Sequence, residues 1–192
     1  MKTLLRFVLV GLFIVFFVEL SIADDNNFRK TKWGLSIAEV KSSEPLDVAE
    51  EDENSLAYKT KVIDKDVFLV YSFIDNQLVR AQYVLAESHL NKNDFITDYN
   101  DFKKVLSKKY GKPIQDKTVW KNDTYKDDYP RWGFAIGMGQ LIYFSSWETQ
   151  DTEISNLLMG DNFKISCIVR YGSKKLKEIE KKAQEKKALD AF

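Results

Sequence analysis

The sequence predicts an α+β fold: a twisted antiparallel sheet with helices on one face, two helix-plus-meander halves, and a C-terminal helical tail. Three stretches carry that prediction. Residues 67–87 (VFLVYSFIDNQLVRAQYVLAE) place two β-rich arms around a polar break, Asp75-Asn76-Gln77, where Asp and Asn tolerate the left-handed angles of a tight turn. Residues 92–110 set Phe95, Ile96, Tyr99, Phe102, Val105, Leu106 and Tyr110 at three- and four-residue spacing, one helical stripe. In residues 163–171, Phe163, Ile165, Cys167, Val169 and Tyr171 alternate with Lys164, Ser166, Ile168 and Arg170, the period of a half-buried strand. A chain of 192 residues, 44% hydrophobic and 14% aromatic, has the size and composition of a folded domain with a real core.

Taken in order, the chain opens with Lys2 and Arg6, an apolar run over residues 7–18, and a small-x-small site at Ser21-Ile22-Ala23. The run is shorter than the ~20 residues of a membrane span. It fits a secretory signal peptide over residues 1–23, cleaved near Ala23. The Cys of a lipoprotein anchor is missing there, so the mature chain is expected to be periplasmic or secreted, with no stable membrane anchor. Residues 24–172 then form one α+β domain, with halves at 33–90 and 91–172, and residues 173–192 a charged tail.

Residues 24–32 are polar and read as ordered only near their end. Ser36 and Glu39 stand in the spacing of a capping box, Leu35 and Val40 in that of a hydrophobic staple, and Pro45 ends the short helix they start. Residues 50–54 read as an acidic loop and 55–63 as a strand before the central hairpin. After the long helix, Asn91 or Asn93 being its cap, Gly111 and Pro113 form a stop. Residues 118–120 read as a short strand and 121–129 as a polar loop. Residues 131–138 and 141–148 read as a hairpin about Gly139-Gln140, its small Gly133, Ala135 and Gly137 marking a close backbone approach. A further hairpin joins 152–159 to 163–171. The tail is rich in Lys and Glu, with a thin apolar edge at Leu176, Ile179 and Ala183, the pattern of a solvated helix.

Lys and Arg number 29 and Asp and Glu 29, so no global field calls for nucleic acid or anionic lipid. Cys167 is the lone cysteine and falls on the apolar side of its strand, the place of a buried, inert thiol. His89 is the lone histidine, without a nucleophile elbow or a second ligand at helical spacing. Gly137-Met138-Gly139 lacks the third glycine of a dinucleotide loop. Asp123, Asp127 and Asp128 lack the ligand spacing of an EF-hand. No catalytic, metal or cofactor-binding residue is assigned, and no cofactor is expected.

The expectation is an exported, non-catalytic binding protein whose partner is an envelope or extracellular protein. A two-residue turn, at Asp75-Asn76 or Asn76-Gln77, puts Tyr71, Phe73, Arg80 and Gln82 on one face of the hairpin. With Trp132, Tyr143 and Trp147 from the second half, these would form an aromatic surface opposite the helices, rich in the side chains that dominate interfaces. A small-ligand carrier and an unrecognised envelope hydrolase are the alternatives.

Trp33-Gly34-Leu35-Ser36 with Glu39-Val40, followed by Leu106 and Lys109-Tyr110-Gly111-Lys112-Pro113, resembles a pattern in uncharacterised exported bacterial proteins. The layout also resembles the β-lactamase-inhibitor-protein-like group, in which a helical segment and an antiparallel sheet occur twice in tandem. That resemblance implies an open sheet face that binds another protein. No residues match the inhibitory contacts of that group, so β-lactamase inhibition is not implied.

Overall fold

The computed structural model describes residues 26–189. The signal peptide expected at residues 1–23 and its cleavage site lie outside them. The elements are α1 (Ile37–Ser43), β1 (Val48–Asp52), β2 (Ser55–Val62), β3 (Lys65–Ile74), β4 (Gln77–Leu85), α2 (Asp94–Tyr110), β5 (Gln115–Trp120), α3 (Trp132–Gly137), β6 (Leu141–Glu148), β7 (Thr152–Asp161), β8 (Lys164–Ser173) and α4 (Lys177–Leu189). The strands make one open antiparallel sheet in the order β1-β2-β3-β4-β8-β7-β6-β5. Each half is thus helix plus four-stranded meander, and the halves meet where β4 pairs with β8. This is the predicted α+β class.

Helix α1 starts as its sequence dictates. The Ser36 side chain accepts from the Glu39 amide, and the Glu39 carboxylate accepts from the Ser36 amide at 2.8 Å. The central hairpin turns on Asp75 and Asn76, both at positive φ, and Asn76 Oδ1 accepts from the first helical amide, Ile37 N. One turn residue therefore shapes the hairpin and anchors α1.

Helix α2 buries Phe95, Ile96, Tyr99, Phe102 and Leu106 against the sheet, each worth roughly 1.5–3 kcal/mol of apolar transfer. Asn93 sits at the cap position but does not cap. Its side chain instead donates to Tyr129 O and accepts from Gly133 N, fastening α3 to the start of α2. With α1, α2 and α3 on it, this is the covered face, and its centre is Leu56, Tyr58, Leu69, Tyr71, Ile154, Leu158, Cys167 and Val169. Cys167 is 1% exposed and burial raises its pKa, which keeps the thiol protonated.

Four expectations need correction. Residues 131–138 are not a strand. Tyr129–Arg131 forms a 3-10 turn with Pro130 at its start, and Trp132–Gly137 continues as α3. The partner of β6 is β5, longer than the three residues expected and exposed on nearly its whole length. The small residues do mark close approaches, of α3 itself. A Cβ on Gly133 would lie 2.3 Å from Lys92 C, and one on Gly160, in β7, 2.4 Å from Ile136 O. Gly133→Ala is expected to cost about 1–3 kcal/mol, read as a lower urea midpoint at unchanged slope. Residues 48–52 form edge strand β1 where an acidic loop was expected.

Lastly, residues 28–33 are not loose. Phe28 is 5% exposed, its ring 5.7, 5.4 and 4.7 Å from those of Tyr71, Tyr83 and Tyr171. Arg29, at positive φ, donates from Nε and Nη2 to both carboxylate oxygens of Glu44 at 2.8 and 3.0 Å. Tyr71 OH donates to the same carboxylate, and the Glu44 side chain is 1% exposed. Trp33 Nε1 donates to Thr152 Oγ1 in β7, so this segment also ties the first half to the second.

Candidate functional site

The seven side chains expected to share an aromatic partner surface do not share one. Tyr71, Phe73, Tyr143 and Trp147 point under the helices and are at most 9% exposed. Trp132 begins α3, packs edge-on against Trp120 and Tyr129, and donates Nε1–H to Lys126 O. Arg80 and Gln82 lie on the opposite face of the sheet. The cause is a β-bulge. Beyond the two-residue turn, Ile74 pairs with Gln77 and Phe73 with Leu78, but Ser72 pairs with Arg80. Val79 is the extra residue, and from there β4 presents the other set of side chains to each face. Tyr83 joins Tyr71 on the covered face, and Arg80 and Gln82 leave it.

The polar clusters are held in ion pairs and hydrogen bonds. His89 Nε2 lies 2.5 Å from Asp98 Oδ2, while Asp98 Oδ1 accepts from Lys65 Nζ at 2.7 Å. Lys65 also reaches Asp101 at 2.9 Å, so the carboxylate of Asp98 is shared between two fixed partners and ties β3 to α2. Asp123 pairs with Lys126 and Asp128 with Arg131, each within its own loop. Gly139 closes a turn after α3, with its φ at +71°. Among the described residues no three His, Cys, Asp or Glu side chains converge as a metal site would require, and no helix is long and apolar enough to cross a membrane.

The face opposite α1, α2 and α3 is organised in rows, because antiparallel pairing sets one side chain from each strand beside the next. The first row runs Lys59, Phe68, Val84, Ile168, Leu157, Phe144, Lys117 across seven strands. Its five apolar members are adjacent, all are half-buried, and an exposed lysine stands at each end. The second row runs Val70, Gln82, Arg170, Ser155, Ser146, Gln115. In the third, Ser72, Arg80, Gly172, Glu153 and Glu148 follow one another.

Helix α4 lies on this face, not free in solvent as its composition predicted. Glu180 pairs with Arg80, Lys177 Nζ lies 2.7 Å from Glu153 Oε1, and Leu176, Ile179 and Ala183 are half-buried. Between α4 and the ends of β5–β8 is a groove of about 450 Å³ lined by Arg80, Arg170, Phe144, Ser146, Ser155 and Lys177, among others. Arg80 is held below the usual guanidinium pKa, first by burial and then by the charge of Arg170. Gln82 Oε1 and Arg170 Nε are buried without a hydrogen-bond partner.

No register signal within β4 alone marks this face. The local cue was the second alternating set of the hairpin, Phe68, Val70 and Ile74, which reads as core until the long-range β4–β8 pairing and the positions of the helices are known. No protein family, no curated protein and no solved structure matches this chain.

Proposed function

We propose that this chain is an exported, non-catalytic binding protein, and that a protein partner docks on the sheet face opposite α1, α2 and α3. The observation that carries the reading is the row Phe68, Val84, Ile168, Leu157, Phe144: five contiguous apolar side chains, none of them buried, on a broad face where α4 is the one helix among the described residues. Lysines at both ends of the row and Arg170 beside it favour a partner segment that is apolar along one side and carries acids at its margin. The basic start, apolar run and Ser21-Ile22-Ala23 site support export, and the likeness in layout to the inhibitor-protein-like group supports an open sheet face as the contact surface.

A hydrolase centred on His89 has less behind it. Asp98 is shared with Lys65, and among the described residues no Ser, Thr or Cys side chain bonds to the ring of His89 as a nucleophile for it to activate.

The test is site-resolved crosslinking in the native host with the tagged full chain. A photoreactive group placed at Lys59 or Lys117 is expected to trap a discrete partner. Phe68→Ser with Leu157→Ser should cut that adduct at least tenfold at unchanged circular dichroism, while Val105→Ser, on the solvent side of α2, should leave it intact. Equal yields from all three proteins, or no adduct from either position, overturn the proposal.

A further inference from the structure

Arg80, Arg170 and Lys177 line the groove against Glu148, Glu153 and Glu180, but the ion pairs around it do not use all three of these cations. Lys174 pairs with Glu148 at 2.9 Å, Lys177 with Glu153 at 2.7 Å, and Arg80 with Glu180. Each of the three carboxylates has its cation. Arg170 is left over: it makes no ion pair or hydrogen bond among the described residues, and its Nε is buried. It stands on the same face as Arg80, offset by one row, because Gln82 is its cross-strand neighbour and Gly172 is that of Arg80. Two half-buried guanidinium groups side by side repel one another, and a carboxylate between them relieves the repulsion through paired N–H donors in the fork geometry that carboxylates match. Glu180 supplies one carboxylate, to Arg80. Among the described residues Arg170 has no such ligand.

The neighbours of Arg170 narrow the chemistry. Two residues along β8 on the same face is Ile168, in the apolar row, and the cross-strand neighbours of Arg170 are Gln82 and Ser155. Arg170 is a single unpaired charge, which suits a monoanion with an apolar stem more than a dianion.

Resting on the reading of this face as a docking surface, we propose that Arg80 and Arg170 form a carboxylate-recognition site, that Glu180 of α4 occupies its Arg80 side in the free protein, and that an acidic side chain of the partner takes the site as α4 yields. Helix α4, which brings Ile179, Ala183 and Glu180 to the face, is a stand-in carried by the chain itself. An apolar side chain flanking an acid is the feature a competing segment must reproduce. Occupancy is then a contest between a tethered carboxylate and an incoming one, and weakening the first strengthens the second.

The experiment uses the full chain, isotope-labelled, with the arginine Nε–H resonances observed by nuclear magnetic resonance at fixed ionic strength. The probes are sodium butanoate, sodium chloride and inorganic phosphate. Butanoate is expected to shift the Arg170 and Arg80 signals saturably, and chloride to produce no saturable shift. Glu180→Gln should tighten butanoate at least fivefold. Arg170→Gln should abolish saturation, and Arg170→Lys, which keeps the charge without the fork, should weaken it severalfold, so that a folding defect in one variant does not decide the result. Tighter binding of phosphate than butanoate, a response to butanoate no different from chloride, or an affinity indifferent to Glu180→Gln overturns the site. The crosslink is compared on the variant Phe68→Ser with Leu157→Ser, and butanoate binding is read on the wild-type chain. Loss of the crosslink in that variant with no butanoate saturation therefore removes this inference alone. Butanoate saturation with no crosslink removes the docking partner and leaves the carboxylate site.

Discussion

Glu44→Ala will destabilise the protein by about 1–3 kcal/mol, measured by urea unfolding, because it leaves the buried Tyr71 hydroxyl without its acceptor and the part-exposed Arg29 guanidinium without its counter-ion. Glu44 ends α1, its carboxylate is 1% exposed, and it accepts from Arg29 twice and from Tyr71 OH once. Burial lowers the Arg29 pKa, and hydrogen bonds with Glu44 and Tyr83 raise it by more; a guanidinium stays charged at any ordinary pH even without Glu44, so Arg29 cannot escape by losing its proton. Total stabilities of domains run about 5–15 kcal/mol, so a loss of this size is a large part of the whole. The triple replacement Arg29→Met, Glu44→Leu, Tyr71→Phe should recover most of it, since a buried pair exchanged for apolar groups of similar volume is often neutral. By contrast Lys41→Ala breaks the pair with Glu51 near 45% exposure and should cost about 0–1 kcal/mol. A Glu44→Ala protein within 1 kcal/mol of wild type would show that the cluster is not held as described.

Trp147→Ala is expected to cost about 3–5 kcal/mol, by removal of an indole 2% exposed between β6 and the end of α2. The indole does two jobs. It fills the core beside Ile154, and its Nε1–H donates at 2.9 Å to the carbonyl of Gly111, the residue at φ +85° that ends α2. Trp147→Phe keeps most of the volume and loses the hydrogen bond, so it should cost about 1–3 kcal/mol, in the range for an acceptor left unsatisfied. In a chain of this size the alanine variant should lower the melting temperature by roughly 6–20 °C. A surface aromatic would move it by a degree or two, and that result would return Trp147 to the list of partner contacts.

What the sequence made legible follows the range of the interactions. Ser36 and Glu39 specify the start of α1 within one turn of chain, and the structure has that capping box. The α2 stripe and the Asp75-Asn76 turn are local in the same sense. The bulge at Val79 is not. Whether β4 continues its alternation or slips by one residue depends on Leu78, whose amide donates to Leu35 O and whose carbonyl accepts from Gly34 N, an arrangement made by a segment more than forty residues away. That slip moved Arg80 and Gln82 off the expected surface. The edge strands β1 and β5 were hidden for another reason: both are exposed along nearly their whole length and carry no apolar alternation to read. The peptide WGFAIG alternates large and small like a strand, yet Gly133 and Gly137 serve a helix pressed on its neighbours. The rows of the open face, and with them the pairing of Arg80 and Arg170, exist only once β8 lies beside β4.

That seam also sets an order of events. Residues 80–84 pair with 168–172, so the inner edge of the first meander stays open until β8, the last of the described strands, has been made and placed. Until then β4 offers unsatisfied amides and carbonyls along an edge whose one charged residue is Arg80, where β1 carries Glu50, Glu51 and Asp52 and β5 carries Asp116 and Lys117. The first half on its own is therefore a sticky species with one raw side. Whatever holds the chain during synthesis has to keep that side from a neighbouring copy, since β4 of one molecule can accept β8 of another as readily as its own. Exchange of the second half between two chains is the misassembly this topology most invites.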